Sequence, residues 1–173
     1  WLVIAAFAAL AITIVTYVTV VGYFATQTED KADQSYSELV AFASRREATS
    51  KALAEAVTTR IPTQETAKAI SATPADGNEN LYSPDFANSQ MKYSLQVSQL
   101  LSVVESNQNV MTGTPEALSR QLRDQELRFQ QKVRQYNRDA MNYNDMRDNP
   151  VLSPVAVIAT TGNLVLFTAP VIP

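Results

Sequence analysis

Apolar and polar positions divide the chain into three parts. From Trp1 to Thr28 there is no Asp, Glu, Lys or Arg, and most positions are Ala, Val, Ile, Leu, Phe or Tyr. From Glu29 to Asp148 apolar residues recur among many charges, and from Asn149 to Pro173 charge disappears again. A helix crossing the roughly 30 Å hydrocarbon layer needs about 20 apolar residues. Trp1 to Ala25 supplies that length, with Tyr17, Tyr23 and Phe24 toward its end. The apolar core of a signal peptide is shorter, roughly 7–15 residues, so a retained transmembrane anchor over residues 1–27 is expected.

The middle part reads as helices. Gln27 to Arg60 contains neither Pro nor Gly, and Tyr36, Leu39, Val40, Ala43, Ser50, Leu53, Ala54 and Val57 fall on one stripe of a 3.6-residue helix. Nothing breaks the chain between the anchor and this stripe. The helix is therefore predicted to run on from the apolar segment as a stalk and to end or kink at Ile61-Pro62. Thr63 to Ala72 suits a short helix capped by Thr63, and Ala72 to Ser89, with its Pro, Gly, Asp and Asn, suits a loop. Ser89 to Ser106 returns to helix, with Met91, Leu95, Leu101 or Val97, and Val104 sharing a face, followed by a polar turn to Gly113.

Thr114 as N-cap, Pro115 at the first helical position and Glu116 near the positive end of the dipole mark the start of the last long helix. No Pro or Gly interrupts it before Asp148, and Leu118, Leu122, Phe129, Val133, Tyr136, Ala140 and Tyr143 step by four, seven and three. Helices with only stripe-like apolar faces are not stable singly. The fold expected for residues 28–149 is thus all-α, an antiparallel bundle of three or four long helices with the stripes as its core.

Residues 150–173 form an apolar tail in which Pro150, Pro154, Gly162 and Pro170 leave no uninterrupted run long enough to span a bilayer. Such a tail should be buried elsewhere, at the membrane interface or against another protein. Val151, Leu152, Val155, Ile158, Leu164, Leu166 and Phe167 are its candidate contacts, and Leu164 to Thr168 suits an extended conformation. A bundle that folds the chain back toward its origin would return this tail to the bilayer.

Composition narrows the chemistry. The 173 residues include no Cys and no His, which removes the usual transition-metal ligands, thiol nucleophiles and neutral-pH proton shuttles. A formal charge of -3 argues against a nucleic-acid surface. Gly22, Gly77, Gly113 and Gly162 are scattered, so no glycine loop for phosphate can be built. Asp124 with Glu126 and Asp145 with Asp148 sit among Arg123, Arg128, Lys132 and Arg147, as an ion-paired helix surface would. No catalytic residue, cofactor or metal site is expected.

Three short motifs then stand out in order along the chain: Arg45-Arg46, Leu100-Leu101-Ser102-Val103-Val104-Glu105, and Arg134-Gln135-Tyr136-Asn137 with Tyr143-Asn144 one heptad later. With the anchor before them, they resemble LemA-like proteins over Tyr36 to Val57 and Leu95 to Ala159, most specifically from Leu100 to Asn144. The chain departs from that family in having Tyr36 where Trp is usual and Thr49-Ser50-Lys51-Ala52 where a Leu-Ile-Pro-Asn element follows the Arg pair. Without that proline the first helix would continue straight. The resemblance implies a single-pass bacterial protein with a helical domain outside the membrane and no established enzymatic activity. It supplies no active site.

The motif residues have two readings. Tyr136 and Tyr143 would pack across the bundle with their hydroxyls bonded to a neighbouring helix, while Asn137 and Asn144 fix its register. Alternatively the asparagines, with Arg134 and Arg138, would form a docking surface for a partner. Arg45-Arg46 would be a solvated pair, or would pair with a carboxylate such as Glu105; about 30 Å beyond the anchor, it stands too far away for lipid head groups.

The expected role is a non-enzymatic scaffold or accessory subunit that holds a larger integral-membrane complex through anchor, bundle and tail. The alternatives are a LemA-type envelope regulator or assembly factor that binds transiently and, more remotely, a membrane-tethered carboxylate hydrolase. Expected partners are the lipid bilayer and other integral-membrane proteins, no nucleic acid, with self-association left open. Glu29, Asp30, Lys31 and Asp33 make a poor cytoplasmic flank, which favours a bacterial inner membrane with the soluble domain in the periplasm.

Overall fold

In the computed structural model, residues 1–72, 84–109 and 111–167 are described. They are all-helical, with α1 over Leu2–Arg60, α2 over Glu65–Ala72, α3 over Pro84–Ser106, α4 over Thr114–Asp148 and α5 over Ser153–Ala159. The first helix is continuous for 59 residues. Its N-terminal stretch is long and apolar enough to cross a membrane, and Trp1 through Val20 are exposed without exception. The continuation without a break past Thr49-Ser50-Lys51-Ala52 is as the sequence suggested, and the helix ends at Ile61 before Pro62.

Three boundaries differ from expectation. Thr63 does not cap α2, which begins two residues later at Glu65. Helix α3 starts at Pro84 instead of Ser89, because Pro is compatible with the first turn and Asp85 complements the dipole there. Of the expected loop, residues 73–83 lie outside the described set. Thr114 is the first residue of α4; Gly113 precedes it as N-cap with φ 77, a left-handed value that a side chain would disfavour. The expected face of α3 is also rotated. Tyr93, Ser94, Val97, Leu100 and Val104 are buried, whereas Leu95 is exposed.

Helices α1 and α4 run side by side in opposite directions. Arg46 pairs with Glu126; ten residues back along α1 and ten forward along α4, Tyr36 and Tyr136 are in ring contact at 5.4 Å. Seven more in each direction bring Tyr143 to Glu29 at 3.4 Å. Between them, Lys132 Nζ donates to Glu38 Oε2 at 2.7 Å, and this hydrogen bond, with the charge behind it, holds the Glu38 carboxyl below the usual glutamate range.

The buried apolar residues form two clusters along this pair. One gathers Ala32, Tyr36, Leu39 and Ala43 of α1 with Phe129, Val133, Tyr136, Ala140 and Tyr143 of α4, together with Phe86, Leu164 and Phe167. The other gathers Leu53, Ala54 and Val57 with Ala67, Ile70, Tyr93, Val97, Leu100, Val104, Met111 and Leu122. Arg46 and Glu126 lie between them.

The chain after α4, expected to be irregular, holds a further short helix, and part of it packs on the protein itself. It turns at Asn149, forms α5, then runs extended from Thr161 to Phe167 against the protein's own helices. Phe167 is set edge-on against Tyr136 at 5.5 Å and Phe86 at 5.9 Å, and lies 6.5 Å from Tyr36. It is a core residue 19 positions past the last long helix. Phe167→Ala should therefore cost about 3–5 kcal/mol, the magnitude of an interior Phe deletion, measured by chemical denaturation in detergent followed by circular dichroism. A loss below ~0.5 kcal/mol, typical of a surface site, would show the tail to be dispensable.

Candidate functional site

Two constellations concentrate the polar chemistry. The first is built around Arg46, whose side chain is fully buried in the α1 stripe between Ala43 and Ser50. Its Nη1 donates to both oxygens of Glu126, at 2.9 and 3.2 Å, and to Ser94 Oγ at 2.8 Å; Nη2 donates to Gln90 Oε1 at 2.6 Å. Ser94 Oγ in turn donates to Glu126 Oε1 at 3.1 Å. The guanidinium stacks on Phe129, 3.8 Å from the ring centroid, with Tyr93 5.3 Å away on α3. Arg46 Nε has no hydrogen-bond partner among the described residues.

A planar fork with several donors and an apolar face is what this place requires, so Lys would not substitute. Burial weakens the hold of Arg46 on its proton while the Glu126 charge opposes that effect, and an arginine stays charged throughout. Burial also raises the Tyr93 hydroxyl above the usual tyrosine range, despite its hydrogen bond with Ser50. A groove of about 590 Å³ between α3 and α4, lined by Val97, Leu101, Leu127 and Gln130, reaches Glu126. Both carboxylate oxygens there are already engaged by Arg46 and Ser94. The geometry is that of a tie between three helices.

The second constellation joins α4 to the extended tail. Asn144 Nδ2 donates to the Leu164 carbonyl at 2.9 Å, and Leu164 N donates back to Asn144 Oδ1 at 2.8 Å. Asn137 repeats the arrangement with Phe167, at 2.7 and 2.8 Å. Between them the Tyr136 hydroxyl donates to the Val165 carbonyl at 2.8 Å. Seven residues of helix rise about 10.5 Å, and three residues of extended chain span about 10 Å. One heptad of α4 therefore matches three residues of tail, and each asparagine amide stands in for the edge of a neighbouring strand.

At the lower end of this ladder Glu29 Oε1 accepts from the Tyr143 hydroxyl at 3.4 Å and from Thr161 N at 3.3 Å. Arg147 Nη1 donates to Thr160 Oγ1 at 2.8 Å. Tail, α1 and α4 are thereby fastened together at one level.

No protein-family model, curated protein or solved structure matches this chain. The candidate residues are therefore placed by geometry alone. Arg45 is exposed, but Arg46 is buried, so the two are not a solvated pair. Glu105 pairs with Arg123 on the surface, not with Arg46. Glu126, expected in an ion-paired surface, is 5% exposed. Tyr143 does reach a neighbouring helix, through Glu29; Tyr136 instead bonds the tail. Asn137 and Asn144 grip the tail backbone and do not face another helix, while Arg134 and Arg138 lie exposed on α4. Leu164 and Phe167 are buried, Leu152 and Val155 partly so, and Val151, Ile158 and Leu166 exposed.

The residues that sequence reasoning missed are Glu126, Ser94, Gln90, Tyr93 and Phe129 as partners of Arg46. A signal was present. The α1 stripe skips from Ala43 to Ser50 and the α4 stripe from Leu122 to Phe129, and the two gaps hold Arg46 and Glu126, of opposite charge.

Two predictions follow from this geometry. Arg46→Met or Glu126→Leu alone strands its buried partner and should cost about 3–5 kcal/mol, whereas the double variant should lose clearly less than the sum; strict additivity in denaturation curves would refute the tie. Asn137→Ala and Asn144→Ala each remove two half-buried bonds and should cost about 1–2 kcal/mol. Hydrogen exchange at Leu164 and Phe167 should accelerate in both while helix amides keep their protection; unchanged exchange there would contradict the clamp.

Proposed function

We propose that this chain is a single-pass, non-enzymatic membrane protein, a scaffold or accessory subunit of a larger integral-membrane complex. In this reading residues 28–149 are an antiparallel helical bundle of LemA-like type. The observation that carries the proposal is the continuity of α1. A single 59-residue helix holds both the uncovered apolar stretch and the stripe that packs on α4. A rod of this kind transmits position between bilayer and bundle without a hinge, which suits spacing or clamping more than turnover.

The polar groups support the same reading. Arg46, Glu126 and Ser94 bind each other, and Asn137 and Asn144 bind the tail, so their hydrogen-bonding capacity is directed inward. Glu29, Asp30, Lys31 and Asp33 follow the apolar stretch without a positive excess, which favours a periplasmic bundle on a bacterial inner membrane.

The test is gentle detergent extraction of the full chain, followed by size-exclusion chromatography and mass spectrometry of what co-elutes. Other integral-membrane proteins at fixed stoichiometry are expected. A monomer or a simple homo-oligomer would overturn the scaffold role. Ending the chain at Asn149 is a poor control, because it also removes Leu164 and Phe167 from the core.

A further inference from the structure

The turn from α4 into α5 reaches below the polar end of the helical region. Glu29 is the first charged residue of α1, and Tyr143 and Thr161 meet it there. The chain between these two descends along α1 and returns. At its lowest point the Tyr17 hydroxyl donates to the Val151 carbonyl. Tyr17 precedes Glu29 by 12 residues, about 18 Å of helix axis. Asp148, the last charge of α4, is five residues past Tyr143 and so about 7.5 Å below Glu29. Val151, three residues past Asp148, thus lies beside the stretch of α1 in which every residue from Trp1 to Val20 is exposed.

The segment is also built to lack free backbone donors. Asn149 N bonds the Met146 carbonyl, and Pro150 and Pro154 have no N–H. Val151 N and Leu152 N donate to Asn149 Oδ1, Leu152 N and Ser153 N to the Asn149 carbonyl, and Val155 N and Ala156 N to the Leu152 carbonyl. Val157 to Ala159 lie inside α5. From Asn149 to Ala159 each backbone donor is absent, bonded or helical. Nothing from Asn149 to Phe167 carries a side-chain charge. Yet the segment presents Val151, Val157 and Ile158 outward, at 67%, 50% and 87% exposure. An uncharged turn whose backbone donors are satisfied and whose apolar side chains face outward suits contact with an apolar surface.

We infer that residues 150–159 are a second membrane contact, an interfacial element that places Val151, Val157 and Ile158 among the lipid head groups and upper acyl chains. The occupant is the bilayer, because the patch continues the exposed apolar surface of α1 at the level of Tyr17. The contact also fixes rotation. A lone spanning helix is free to turn about its axis, whereas an apolar turn on one side of it holds the helical region in one orientation over the membrane. The inference rests on the anchoring reading of α1.

The absence of native Cys allows a direct test on the full chain. Single variants Ile158→Cys and Val157→Cys carry a nitroxide label in phosphatidylcholine–phosphatidylglycerol nanodiscs, with Phe7→Cys as the reference in the anchor and Thr59→Cys as the reference near the far end of α1. Accessibility to oxygen is compared with accessibility to a water-soluble nickel chelate. Positions 157 and 158 should favour oxygen as position 7 does, with at least a several-fold preference over position 59. If position 7 is lipid-exposed while 157 and 158 behave like 59, the inference falls and the anchor stands. If position 7 is open to nickel, both fall. Protection of 157 and 158 from both reagents would assign the patch to a protein partner or a second copy and overturn the lipid contact.

Discussion

A buried ion pair between two long helices imposes the constraint on which the rest of this structure depends. Helices α1 and α4 present stripes of Ala, Val, Leu and aromatic residues that would tolerate sliding by a turn with modest loss of apolar contact. The Arg46–Glu126 pair does not tolerate it, since a shift of one turn would leave two desolvated charges apart. Ser94 and Gln90 bring α3 into the same tie, and Phe129 and Tyr93 cover the guanidinium. The polar layer separates two apolar clusters and sets the register of both. Its value is specificity of alignment more than net stability, because desolvation offsets much of the Coulomb attraction.

From that register follows the position of Tyr36 opposite Tyr136, and from those rings the place where Phe167 is received. The tail carries two anchoring side chains, Leu164 and Phe167, but its backbone would be stranded against a helix, which has no free edge to pair with. Asn137 and Asn144 supply that edge. Each presents a donor and an acceptor in the geometry of a peptide group, and their heptad spacing fits the extended chain. Leu164 and Phe167 of the uncharged segment thereby become part of the protein's interior.

The continuous first helix couples these features to whatever holds its apolar end. The clamp, the Glu29 junction and the α5 turn all lie on the half of the structure nearer that end, and the Arg46 tie bounds them on the far side. Tyr17, Glu29, Glu38 and Arg46 of one helix contact the turn, the tail and α4 in succession. Motion of the apolar stretch and motion of the helical region are therefore one motion unless α1 itself bends.

Much of this was legible in the residues. The apolar length of Trp1 to Ala25, the unbroken run to Arg60, the stop at Pro62, the extent of α4 and the faces of α1 and α4 are local properties, set by 3.6-residue periodicity and by where Pro and Gly fall. The rotated face of α3 was not legible, because Met91, Leu95 and Leu101 compete with Tyr93, Val97 and Leu100 for the inward side and only the neighbouring helices choose between them. The roles of the motifs were hidden for a similar reason. An arginine beside another arginine looks solvated until a glutamate 80 residues away occupies the matching gap, and an asparagine on a helix has no evident partner until a chain end 20 or 30 residues later lies along it. Sequence alone determined the long helices and which segments are apolar, since those depend on neighbours within a turn or two, but not the short α5, which forms in a Pro-containing stretch. Tertiary structure alone decided which polar group faces which, since a hydrogen bond or ion pair is fixed by distances of a few ångströms between residues that the chain keeps far apart.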